Sequence, residues 1–178
     1  MLVQPEGTHL AQLNVARARF ELDDARMVDF VGALDRVNAI AESSPGFVWR
    51  LQGDVGNATD VKVTDNPRFI VNLSVRASID DLHAFTYRSE HKAVFARRYE
   101  WFERADGPNM VLWWVPAGTL PDAAEALDRL RRLAESGPTP DAFSFKQRFP
   151  PPDGVSPDLV PTSACPWRSR PWRGVLHV

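Results

Sequence analysis

The chain has 178 residues, of which 44% are hydrophobic and 25% charged, with a formal net charge of −2 at pH 7; this fits one folded domain and excludes wholesale disorder. The balance shows none of the basic excess that marks nucleic-acid binders, so small molecules or proteins are the expected partners. The single cysteine, Cys165, excludes an intrachain disulfide framework and a multi-cysteine zinc site. No apolar run approaches membrane-spanning length and MLVQPEGTHL lacks a signal-peptide pattern, so a cytoplasmic protein away from the membrane is expected.

In chain order, residues 1–7 form a leader and the folded part begins at residue 8. HLAQLNVARARF alternates as a strand, with Ala11, Leu13 and Val15 on one face and Gln12 and Asn14 on the other. Asp23 and Asp24 are capping candidates for a helix whose apolar positions include Met27, Phe30, Val31, Leu34 and Val37. Pro45 and Gly46 stop it. FVWRLQ and PRFIVNLSVR read as the second and third strands, the latter with Phe69, Val71, Leu73 and Val75 opposite Asn72, Ser74 and Arg76. Ser78 and Asp81 have capping-box spacing for a short helix. YRSEHKAVFARRYEWFERA follows as one amphipathic helix, then NMVLWWVP as a strand. PDAAEALDRLRRLAESGP is a helix with Pro at its start and Gly past its end, and AFSFKQRF is a fifth strand. Seven of the fifteen prolines fall in residues 150–178, so 153–178 is read as an extended Pro/Trp/Arg-rich tail beyond a domain at 8–152.

The order β α β β α β α β makes the fold class α+β. Its first six elements form the ferredoxin-like βαββαβ antiparallel sheet, with an added αβ. The greasy strand faces are expected to take the helices, leaving the face with Gln12, Asn14, Asn72, Ser74 and Arg76 in need of cover or a ligand. On the amphipathic helix, 100° per residue places His91, Phe95, Arg98 and Phe102 in one stripe, with Trp101 at its flank and Arg97 at its margin. A guanidinium in such a stripe is costly unless paired and hydrogen-bonded, so Arg98 is expected to meet a carboxylate, backbone carbonyls or an anionic ligand. Imidazole titrates near neutrality, which makes His91 a candidate general base. Trp113 and Trp114 point to opposite strand faces; registry makes Trp113 core and Trp114 the cavity-facing or exposed member. No glycine-rich phosphate loop, GxSxG or HExxH is present, and the four histidines show no metal-ligand spacing.

The pieces HLAQLNVARAR, NAIAESSPGFVWRLQ, NLSV, FTYRSEHKAVFARRYEWF, LWWVPAG and SGPTPDAFSFKQRFPPP together resemble the bacterial family called domain of unknown function 3291, over about residues 8–152. That family resembles the dimeric α/β-barrel superfamily, which includes antibiotic-biosynthesis monooxygenases and haem-degrading enzymes. The resemblance implies a homodimer whose partner subunit covers the polar sheet face, and a cavity between sheet and helices. Arg76 stands where the resemblance places Trp.

The leading expectation is a small-molecule enzyme of monooxygenase, cyclase or isomerase type that needs no cofactor. Its substrate is aromatic or polyketide-like, and proton abstraction to an enolate precedes oxygenation, cyclisation or isomerisation. His91 and Arg98 are the catalytic candidates. Asn14, Trp49, Asn72, Ser74, Arg76, Phe95, Trp101 and Trp114 are the substrate-binding candidates, and no metal is expected. The alternatives are a haem protein of the same barrel type, with His91 as an axial ligand, and a non-catalytic ligand-binding or dimerisation module.

Overall fold

Residues 7–54, 56–88 and 91–152 are described by a computed structural model, with backbone alone at 88 and 91–93. The expectations placed on residues 1–6 and on the tail at 153–178, Cys165 included, lie outside the described residues.

The alternating segments form strands β1 (Thr8–Arg17), β2 (Phe47–Arg50), β3 (Phe69–Arg76) and β4 (Met110–Pro116). They pair antiparallel in the order β2-β3-β1-β4. Helix α1 (Val28–Ser43) joins β1 to β2, and α2 (Ile79–Arg88), α3 (His91–Ala96) and α4 (Arg98–Trp101) lie between β3 and β4. This is the ferredoxin-like βαββαβ arrangement; α5 (Ala123–Ser136) is added after it.

Local chemistry sets the ends of these elements. The Asp24 carboxylate accepts from the Arg26 N–H and opens a short 3₁₀ turn at Ala25–Met27 that leads into α1. Ser78 Oγ accepts from the Asp81 N–H at 3.1 Å and donates to the Asp81 carboxylate at 2.7 Å, which starts α2. Asp122 caps α5 by accepting from the Glu125 N–H, and Gly137 ends it at φ 75°.

The sheet faces are covered differently from the sequence-based expectation. Ala11, Leu13, Val15, Val71, Leu73, Val75 and Trp113 pack against Ala126, Leu127, Leu130 and Leu133 of α5, with Trp49, Leu51 and Val63 at the β2 side. Helices α1 to α4 lie instead over the face that carries Gln12, Asn14, Asn72, Ser74 and Arg76. The partner subunit is therefore not what covers the polar face. The greasy face is closed within one chain: Ala11, Leu13, Val75 and Trp113 are each 0% exposed.

Two further expectations are corrected. The stretch 87–105 is not one helix: α3 and α4 are separated at Arg97, whose N–H bonds to Val94 and whose carbonyl accepts from Glu100, both three residues apart. AFSFKQRF is not a strand. Phe143 alone exchanges both backbone bonds with Leu112, at 2.8 and 2.9 Å, while Thr139–Ala142 and Ser144–Gln147 bridge within the segment itself. Backbone groups spent on those turns cannot extend a ladder along β4. No helix among the described residues is long and apolar enough to cross a membrane.

Candidate functional site

The polar side chains of the sheet become a wall because of strand register. Asn14 stands opposite Asn72, and Gln12 opposite Ser74. Ala18, which bridges Phe102, continues the same face past the end of β1. Between this wall and α1 to α4 lies a cavity of about 670 Å³, a size that suits a small organic molecule. Its two ends differ. At one, Met27, Phe30, Trp101 and Ala18 form a packed cluster with Phe102 and Val94 against it. At the other, Arg76 sits among Phe47, Leu82 and Phe85.

The two asparagines are the polar centre of the wall. Neither side-chain amide has a hydrogen-bond partner among the described residues, so both keep their donors and acceptors for a ligand. Ser74 is committed: its hydroxyl donates to Gln12 Oε1 at 3.0 Å.

Arg98 lines the cavity and Arg97 does not. Arg97 turns outward to Asp29 at 2.9 Å and Glu100 at 2.8 Å, and these bonds raise its pKa above the ordinary guanidinium value. Arg98 meets no carboxylate among the described residues. Its Nη1 donates to the Phe95 carbonyl at 2.9 Å and its Nη2 to the Tyr99 hydroxyl at 3.0 Å. Its guanidinium lies 4.2 Å from the Phe95 ring centre and 4.1 Å from that of Tyr99. Two rings and two hydrogen bonds fix the fork while leaving three of its five N–H donors.

Arg76 is 1% exposed. Its Nη1 donates to Ser44 Oγ, and Ser44 in turn donates to the Ala41 carbonyl at 2.6 Å. Its Nε has no hydrogen-bond partner among the described residues. Burial pushes the guanidinium down from its ordinary value to about 10, partly offset by the Asp81 charge.

Phe95 and Trp101 also line the cavity. Two candidates do not. Trp49 packs on the α5 side, because the register of β2 shifts between Phe47, opposite Arg76, and Trp49, opposite Val75. That irregularity flips alternate residues and leaves Phe47, not Trp49, in the cavity. Trp114 shares the polar face, but it is buried under Phe143 and Phe149 and its Nε1–H donates to the Phe149 carbonyl at 2.9 Å. Trp113 is core. His91 opens α3; its side chain lies outside the described residues.

Sequence reasoning missed Phe47 and Phe85 around Arg76, and Tyr99, whose ring lies between Arg98 and the Arg104 guanidinium at 4.9 Å. Pairing the second strand antiparallel with the third would have placed Phe47 opposite Arg76. The cavity lining holds five arginines, at 17, 50, 76, 98 and 104, against one carboxylate, Glu103, among the described residues. Arg17 is near Glu103 at 3.6 Å and Arg50 near Glu42 at 2.7 Å, which leaves Arg76, Arg98 and Arg104 without a carboxylate among the described residues. No described histidine or cysteine lines the cavity, and no cluster of three metal-ligating side chains occurs among the described residues.

Residues 9–158 match the family described as Domain of unknown function (DUF3291). No curated protein matches the chain. Among solved structures, the chain is similar to SnoaB, a cofactor-independent oxygenase from Streptomyces nogalater. The two are 15% identical, with 64% of this chain and 98% of that one covered and a TM-score of 0.43. It is also similar to NE2512, a protein of unknown function from Nitrosomonas europaea, at 14% identity, with 67% and 100% covered and a TM-score of 0.41.

Proposed function

We propose a function from the cavity itself, because this chain belongs to the family of the domain of unknown function DUF3291, whose description assigns no activity. The chain is a small-molecule enzyme that abstracts a proton next to a carbonyl and holds the resulting enolate or phenolate, without a built-in cofactor. The observation that carries this reading is the cavity wall on which Asn14 and Asn72, both with unspent amides, share one space with the ring-clamped Arg98.

The chemistry follows from charge development. Removing a carbon-bound proton moves negative charge onto the carbonyl oxygen. Donors already aimed at that oxygen stabilise the transition state more than the ground state. Arg98 supplies a fixed cation whose rings hold it in place, and the asparagine amides supply neutral N–H donors. Phe95, Trp101 and Phe30 give flat apolar surface for an aromatic body. His91, at the start of α3 and on the same chain segment as Arg98, is the proposed base; the proton passes from the substrate carbon to its imidazole. Oxygenation by dissolved dioxygen, cyclisation or isomerisation would then consume the enolate. The reading includes a cytoplasmic homodimer. Since α5 already closes the greasy sheet face, the dimer would pair through another surface.

The test is exchange of the α-hydrogens of 2-tetralone, an aryl-fused ketone, for deuterium in D₂O, followed by proton NMR. The protein accelerates exchange over buffer by about 10²-fold or more. His91→Ala removes the acceleration and Arg98→Met reduces it by roughly 10²-fold, each with an unchanged fold by circular dichroism. Exchange at the buffer rate, or full acceleration in both variants, would overturn the reading.

A further inference from the structure

The end of the cavity away from α4 is built around a cation that the proposed chemistry does not use. Arg76 follows Asn72 by four residues on the same face of β3, which sets their Cα atoms ~13 Å apart. Its side chain is 1% exposed and lines the cavity. One nitrogen has a neutral partner, Ser44 Oγ, and Nε has none. Asp81, whose charge acts on Arg76, makes no ion pair with it among the described residues and is already bonded to Ser78. Ser74 beside it has given its hydroxyl hydrogen to Gln12.

A buried guanidinium with an unsatisfied donor carries an electrostatic cost that an anion in the cavity would cancel. Two other cavity arginines, 17 and 50, have carboxylates within 4 Å; among the described residues Arg76 has none. Its flanks are rings, with the guanidinium 4.4 Å from the Phe85 ring centre and 5.4 Å from that of Phe47. These apolar walls suit a flat group attached to the anion, and the other arginine on this part of the wall, Arg50 opposite Ser74, is already paired with Glu42. A singly charged, planar carboxylate fits this end better than a doubly charged phosphate, which would call for more than one cation.

We propose that Arg76 is the anion-recognition group of the cavity, and that the molecule it takes is a planar aromatic carboxylate. The carboxylate sits at Arg76 and the rings run along the wall toward Asn14 and Asn72. Two or three fused rings fill the distance between the two ends. This rests on the reading of the cavity as a small-molecule site and names the class of molecule that fits it.

The experiment is calorimetric titration of the full chain with 2-naphthoate and with 2-naphthamide, which share a ring system and differ in charge. The carboxylate binds roughly tenfold or more tighter than the amide. Arg76→Met brings the two to equal affinity, while Arg76→Lys, which keeps the charge but loses the planar fork, retains part of the preference. A preference that survives in Arg76→Met overturns the assignment. So does a wild-type chain that binds both compounds alike, although the cavity reading then stands. Binding of neither compound sinks both ideas. Should Arg76→Met fail to fold, the Nε–H resonance of Arg76 in the wild-type chain decides: it moves on addition of 2-naphthoate and not of 2-naphthamide, and an unmoved resonance overturns the proposal.

Discussion

Arg76 shows how one residue can be costly to the fold and useful to a site. Burial holds its guanidinium at about 10, below the ordinary guanidinium value, so between the two the unfolded chain binds more protons than the folded one. Stability therefore rises with pH through that window, and below pH 10 the whole cost of burying the charge is present. Arg76→Met keeps most of the volume and removes the charge. At pH 7 it should raise the unfolding free energy by about 1–2 kcal/mol, even after losing the Ser44 bond and the ring contacts, and this advantage should shrink above pH 10. Denaturant unfolding of both proteins across pH measures it; a Met variant less stable than wild type at pH 7 would mean that the local contacts already repay the burial. The sequence pointed to Arg98 over Arg97 by helical phase, and the structure puts Arg98 at the cavity and Arg97 on Asp29 and Glu100. Trp49 and Trp114 were misread because alternation shows neither where a strand's register shifts nor what packs over a face. A register shift in β2 decided the first, and the return of Phe149 over β4 decided the second.

Among the elements, the turn between α1 and β2 does more than reverse the chain. Gly46 adopts φ 71°, its carbonyl accepts from the Ala77 N–H at 2.7 Å, and a Cβ there would collide with the Asp81 carboxylate. The turn thereby brings together Ser44, which holds Arg76, and Asp81, which helps to start α2. Gly46→Ala should cost about 1–3 kcal/mol from strain and displacement of Asp81; the loss of thermal stability is read by calorimetry, and an unchanged midpoint would show that the contact is slack. Strand alternation, the glycine end of α5 and the SSPG stop were legible from residue order, because they depend on neighbours; the Asp122 cap of α5 was not singled out. The side of the sheet each helix would cover was not. Period-two alternation says which residues share a face, and here α5 with Leu127, Leu130 and Leu133 took the greasy one, leaving the polar face to α1 to α4. The break at Arg97 was hidden for a similar reason: the stripe keeps its phase across one tight turn.

At the scale of the whole molecule, a net charge of −2 conceals a cavity with five arginines and one carboxylate among its described residues. Overall composition excluded nucleic acid as an obvious partner, but only the fold gathers residues from β1, β3 and α4 into a positive space. The same fold closes its apolar core within one chain, so the sheet face that the resemblance would assign to a partner subunit is free to serve as a cavity wall. The central claim is that this space between the polar sheet face and α1 to α4 receives a small aromatic molecule. Its most direct test is backbone amide NMR of the full chain titrated with 2-naphthoate. Shifts should concentrate on β1 and β3 around Asn14 and Asn72, on α4 at Arg98 and on the Arg76 end of β3, with α5 unmoved. Shifts on α5 and the outer surface, or none at saturating ligand, would contradict it.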